Sequence, residues 1–279
     1  MVARHQSTVL PGFGLTLGFT LFTLSAIVLI PLSALAAKAA GLSGTQLLDV
    51  LFDPRSIASY RLTFGASLLA ATINSVFGFA VAWTLVRYEF PGRRLIDALI
   101  DMPFALPTAV SGIALTAVFA SDGAIGRVLE RWGVHVAYTW LGVVVALTLI
   151  GMPFVVRSVQ PALLEVQRDL EDAAETLGAN RWIVFWRIII PTILPSLLTG
   201  FAMALARGIG EYGSVIFISG NLAYKTEITP LLIVMQLEQY HYREAAALGC
   251  IMLAFSFAML FSINLLQAWG RRRLLAAQR

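Results

Sequence analysis

Six predominantly apolar stretches, roughly 13–35, 62–86, 98–120, 137–157, 193–219 and 245–268, run through this 279-residue chain. Each is long enough to cross a bilayer as a helix, which takes about 20 residues. Where water is absent, every backbone N–H and C=O has to be paired internally, so a helix is the form such a run can take. Only 13% of the residues are charged, and the mean hydropathy is +0.79, whereas soluble domains carry roughly 25% charged residues. The reading is an all-α, polytopic membrane protein, with residues 1–279 as one transmembrane domain and a connecting loop at 158–192. Two spans look interrupted. The third holds Pro103 and Pro107, and the fifth holds Arg207 and Glu211, so each has to be broken or has to face protein or water.

Orientation follows from the 20 Lys and Arg residues. With both termini on one side, that side holds Arg4, Arg87, Arg93, Arg94, Arg157, Arg168, Arg181, Arg187, Arg271, Arg272, Arg273 and Arg279. The other side holds Lys38, Arg55, Arg61, Arg127, Arg131, Lys225 and Arg243. The positive-inside bias therefore places the termini and the 158–192 loop in the cytoplasm. Arg4, His5 and Ala34-Leu35-Ala36 resemble the flanks of a signal peptide, but the apolar run Gly12 to Ile30 exceeds the usual 7–15 residue core. It reads as an uncleaved first span. The net charge of +4 is dispersed among loops facing anionic lipid and forms no aromatic-interleaved nucleic-acid patch.

The 158–192 loop contains a soluble-looking segment. Val166, Leu170, Ala173 and Leu177 recur at helical spacing, with Glu165, Asp169, Asp172 and Glu175 off that stripe. With Glu171 counted and Arg168 set against the acids, the segment carries about −4, which suits docking into a basic cleft. An interfacial lipid helix usually has a basic polar face instead. Gly178 is placed to stop this helix, Asn180 to cap a second, and Pro191 to limit that second one. Two short helices at an angle are expected.

Most catalytic chemistry is missing. Cys250 stands alone, His5, His135 and His241 are scattered, and no phosphate-loop motif occurs, so neither a metal site, a cofactor nor ATP binding is inferred. Gly208-Ile209-Gly210-Glu211-Tyr212-Gly213 fits a dinucleotide fingerprint in letters alone; that motif works between a strand and a helix in water, not inside a span. Arg207 and Glu211 can pair at i,i+4, past the bilayer middle. Two roles fit them: a structural ion pair, or a place along a translocation path in which Arg207 attracts an anion and Glu211 keeps the attraction from becoming a trap. Asp97 and Asp101 read as dipole-stabilised residues at a helix start. Asn74 and Ser75 are weaker polar signals within the second span. An ion-coupled secondary transporter is the rival class on these residues.

From Asp172 onward the loop resembles the signature of permease subunits of ATP-binding-cassette importers. Asp172-Ala173-Ala174, three residues, Gly178, nine residues and Ile188-Ile189-Ile190-Pro191 keep the family's spacing. Asp172 replaces a Glu and Ile190 a Leu, which leaves either Asp172 or Glu171 as the acid that meets an ATPase. The resemblance narrows to T-type permeases of sulfate/thiosulfate importers through Leu10 to Phe13, Arg87 to Arg93, Asp101 to Val110, Tyr138 to Gly142, Pro153 to Arg157 and Gly210 to Asn221. It implies a type I importer permease fold with a cytoplasmic coupling helix, in the inner membrane. It implies a homologous W-type permease, two copies of a cytoplasmic ATPase and a periplasmic sulfate/thiosulfate-binding protein as partners. Glu171, Asp172, Ala173, Ala174, Gly178 and Pro191 would form the ATPase-coupling site. Molybdate, another tetrahedral dianion, is the nearest alternative cargo.

Overall fold

The computed structural model describes residues 12–166 and 168–277. Arg4, His5, Leu10, Pro11 and Arg279 lie outside the described residues, as do the side chains of Arg168, Asp169 and Arg271 to Arg273. Twelve helices follow one another, with no strand among the described residues. The first, α1 (Phe13–Ala39), contains a widened π turn at Ser25–Leu29, just before Pro31. Proline has no N–H for the carbonyl four residues back and its ring crowds that carbonyl, so a wider turn lets the helix run on. A short α2 (Gly44–Phe52) begins with a capping box in which Ser43 and Gln46 satisfy each other's backbone N–H. Asp53 then accepts from the amides of Arg55 and Ser56 to start α3 (Pro54–Arg87).

The third apolar stretch is two helices, α4 (Arg93–Ala105) and α5 (Thr108–Phe119), bent by 115°. The break falls at Leu106, which is extended at ψ 135, because Pro107 disfavours helical backbone in the residue before it. Pro103, by contrast, is carried inside α4. After α6 (Gly126–Glu130), Thr139 caps α7 (Trp140–Glu165), which continues beyond the expected limit at 157. The acidic helix α8 (Arg168–Thr176) follows, and then α9 (Arg181–Ile209), α10 (Val215–Ile218), α11 (Thr229–Glu238) and α12 (Tyr242–Ala277). Pro191 does not limit the helix that begins at Arg181: a π turn at Phe185–Ile189 absorbs it, and one helix continues to Ile209. That helix ends at Gly210, so the apolar stretch expected through 219 is a helix, a turn and the short α10.

Five helices are long and apolar enough to cross a membrane, and there are six if the bent pair α4 and α5 is counted as one span. The centre is a sandwich of α3, α7 and α9. A side chain at Gly151 of α7 would run into Asn74 of α3, and one at Gly200 of α9 would strike the Val155 backbone of α7. Such close approach of backbones gives dispersion contact where lipid supplies no hydrophobic drive between helices. Val155, Val156 and Ile193 are fully buried there. The α1 helix stands outside this core and packs its last turns, through Leu35 and Ala39, with Ala246 and Ala247 of α12.

Candidate functional site

At one end of the bundle, α8 is tied to the last turn of α3. Arg87 Nη2 donates to Glu171 Oε1 at 2.5 Å, with the two side chains only 13% and 22% exposed, while the guanidinium also lies over Trp83. Gly178 takes the left-handed φ of 85 that closes α8, and the Asn180 side chain accepts from Ile183 N–H to start α9, both as its position in the sequence implies. Ala174 and Ala179 pack against the central core. The expected apolar stripe is not covered by the bundle, however: Val166 is buried, but Leu170 is exposed and Leu177 is 89% exposed. Asp172 and Ala173 point outward with them. Between α8 and α9 lies a cleft of about 420 Å³, lined by Trp83, Glu175, Arg181, Trp182 and Phe185.

Beside it a second tie joins the broken span to α7. Arg157 of α7 donates from Nε and Nη2 to the two oxygens of Asp101, at 2.8 and 2.6 Å, and from Nη1 to Asp97 at 2.7 Å. Its Nη2 also reaches the Asp97 carbonyl, and Gln160 joins from one turn on. Asp97 and Asp101 are therefore not dipole-stabilised residues of a helix start. The helix begins at Arg93, and the two carboxylates serve as the seat of a bidentate guanidinium. In the sequence Arg157 stands at the end of the 137–157 stretch, as one of the charges of the cytoplasmic side, with no partner marked by spacing. Two acids at i,i+4 entering an apolar run were the available signal, since they need a cation from elsewhere.

Arg207 and Glu211 do pair, Nη1 to Oε2 at 2.5 Å, with side-chain exposures of 35% and 2%. Glu211 lies just past the end of α9, and its other oxygen accepts from the amide and hydroxyl of Ser214. This turn is wedged against α5: a side chain at Gly112 would overlap the Ser214 backbone, and one at Gly213 would overlap Thr108. Gly208 sits against Ser67 of α3. The glycines of the 208–213 stretch thus serve helix contact, in a helix end and turn where a dinucleotide site would need a strand. Nearby, Asn74 is wholly buried with neither amide atom hydrogen-bonded by protein, while Ser75 donates to the Ala71 carbonyl.

A further lock, at the opposite end, went unread in the sequence. Arg55 at the start of α3 meets Glu227, ahead of α11, through two 2.7 Å hydrogen bonds, and Ser59, Thr63 and Thr229 share a buried hydroxyl network beneath it. The pair is separated by 172 residues.

An apolar helical bundle with ion-pair locks at its two ends and an acidic helix turned outward defines the chain as a multi-pass membrane protein. The chain belongs to the binding-protein-dependent transport system inner membrane component family, whose model matches residues 74–275. It is 46% identical over 273 residues to the sulfate transport system permease protein CysT of Escherichia coli strain K12, covering 98% of this chain and 99% of that one. It is 47% identical over 254 residues to CysT of Synechococcus elongatus, covering 91% of each. Its fold is shared with a bacterial ABC transporter involved in import of the acidic polysaccharide alginate, at TM-score 0.74 and 17% identity over 93% of this chain and 94% of that one.

Proposed function

We propose that this chain is the T-type membrane-spanning subunit of an ATP-driven importer that carries sulfate, and thiosulfate with it, across the inner membrane. The observation that carries the reading is its identity with sulfate permeases over nearly their entire length. Transport, not catalysis, is its task, and ATP hydrolysis belongs to a separate chain. In the assembly it pairs with a W-type permease above two copies of a cytoplasmic ATPase, and a periplasmic sulfate-binding protein delivers the anion. Both termini and α8 face the cytoplasm, on the argument from the positive-inside bias.

The mechanism follows from how α8 is held. Asp172, Ala173, Leu170 and Leu177 face outward, which gives a partner an acidic and apolar knuckle with a small residue at its centre. Glu171 is occupied by Arg87, so Asp172 is the acid free for the ATPase. Ala174 seats the knuckle on the core, Gly178 sets its angle and Pro191, through the π turn, sets how α9 leaves it. Closure of the ATPase dimer moves α8, and the Arg87–Glu171 tie passes that motion to α3 and thence to the sandwich of α3, α7 and α9. This is a shear biased by nucleotide state. Arg207 supplies a partly exposed cation along the route, and Glu211 offsets it. A strain lacking its own T-type subunit, given this chain and its companion subunits, should regain uptake of radiolabelled sulfate that depends on ATP. Excess thiosulfate should compete. Competition by molybdate alone, or uptake driven by an ion gradient without ATP, contradicts the proposal.

A further inference from the structure

A cleft of about 530 Å³ opens at the end opposite α8, between the last residues of α1 and the first turn of α12, lined by Lys38, Gly41, Tyr240, Tyr242, Arg243 and Glu244. Two cations from helices remote in sequence converge on it. Each is held in place from one side only. Lys38 Nζ lies 5.3 Å from the centre of the Tyr242 ring, and Arg243 Nη1 donates to the Gly41 carbonyl at 3.0 Å. Among the described residues the ammonium's donors and the rest of the guanidinium meet no other acceptor, and the phenol of Tyr240, edge-on to Tyr242, stands at the rim. The first turn of α12 adds the positive end of a 36-residue helix. We propose that this cleft binds a tetrahedral oxyanion of the phosphate type. Its place in the chain suggests the source: the apolar stretch of α1 ends at Ala39 and that of α12 begins at Tyr242, and the ends of such stretches belong at the level of lipid headgroups. A phosphodiester headgroup there would pin the last turns of α1 to α12, beside the apolar contact that Leu35 and Ala39 already make.

The test uses the purified full-length chain. In one arm, native mass spectrometry follows binding of dioleoylphosphatidylglycerol against dioleoylphosphatidylcholine. In the other, equilibrium dialysis in dodecyl maltoside, which carries no phosphate, follows inorganic phosphate. Lys38→Gln, which breaks no hydrogen bond, should weaken binding at least fivefold in one arm, and Lys38→Arg should retain it. Glu244→Gln, which removes a carboxylate from the rim, should tighten it, and this variant decides the matter should Lys38→Gln fail to fold. Loss confined to the lipid arm identifies a headgroup, and loss confined to phosphate identifies a free ion. Binding unchanged by these variants in both arms overturns the proposal.

Discussion

Glu211 is the residue at which stability and transport can be separated. Its carboxylate is enclosed by Arg207 on one oxygen and Ser214 on the other. Removing one partner of a buried ion pair costs about 3–5 kcal/mol, because a charge is left without compensation. Arg207→Met should fall at the low end, since Ser214 still donates twice. Adding Glu211→Gln should restore most of the thermal unfolding midpoint in detergent, whereas sulfate uptake should stay lost if Arg207 also serves the anion. Uptake restored together with stability assigns the pair to structure alone. Asn74 offers the reverse test. A buried amide without a partner costs roughly 1–3 kcal/mol, so Asn74→Leu, similar in size, should raise the unfolding midpoint. If the amide meets a partner only when the sandwich shears, the stabilised protein should transport more slowly; a variant that is both more stable and fully active makes Asn74 a mere packing defect.

Among the elements, α8 and α4 each carry one arginine tie to the sandwich, Arg87 and Arg157, so the two ties can be broken separately. Arg157→Gln removes the bidentate guanidinium from its carboxylate seat on α4. Hydrogen bonds to charged groups are worth about 1.5–3 kcal/mol, and the lower end applies because Asp97 and Asp101 are close to half exposed. Limited proteolysis should then cut more rapidly near Arg93 and Arg94, with α8 unaffected. For α8 the contrast lies between neighbours. Asp172→Lys should abolish ATP-coupled uptake by opposing a basic cleft while leaving the unfolding midpoint unchanged. Glu171→Gln should lower the midpoint by weakening the tie to Arg87. Equal effects from both substitutions contradict the division of roles. The sequence disclosed these elements unevenly. Apolar runs of about 20 residues announce spans because lipid demands them, and Gly178 and Asn180 announce the ends of α8 and α9 because capping is local. Pro191 misled, since a π turn lets a helix pass a proline, and nothing in spacing marks where such a turn will form. The pairings of Arg157 and Arg55 are not legible for another reason: Asp97 and Asp101 signal that a cation is needed, but the partners lie 56 to 60 and 172 residues away, so tertiary packing alone selects them.

On the scale of the whole molecule, the two ends of the bundle are built differently. At the α8 end, Arg87 and Arg157 hold peripheral helices to the sandwich through charged side chains that are partly exposed. At the far end, Arg55–Glu227 sits over buried Ser59, Thr63 and Thr229, and the left-handed Tyr138, Asn221 and Tyr224 shape the surrounding loops. A lever that passes force inward has to be tied at its outer end by contacts that can rearrange, whereas the end that receives substrate has to keep a fixed rim until the sandwich moves. The proposed cytoplasmic placement of α8 follows that logic and the excess of arginine on its side. Labelling can check it directly. Cys250 is the single native cysteine, partly buried in α12, and Cys250→Ala gives a background without thiols. On that background Tyr224→Cys and Tyr88→Cys, the second in the loop after α3 and away from the outward face of α8, both place an exposed thiol, at opposite ends. A membrane-impermeant maleimide applied to spheroplasts should modify the first and leave the second until the cells are lysed. The opposite pattern would put α8 outside the cell, beyond reach of any cytoplasmic ATPase, and the transmission of force from α8 through Arg87 would have no source.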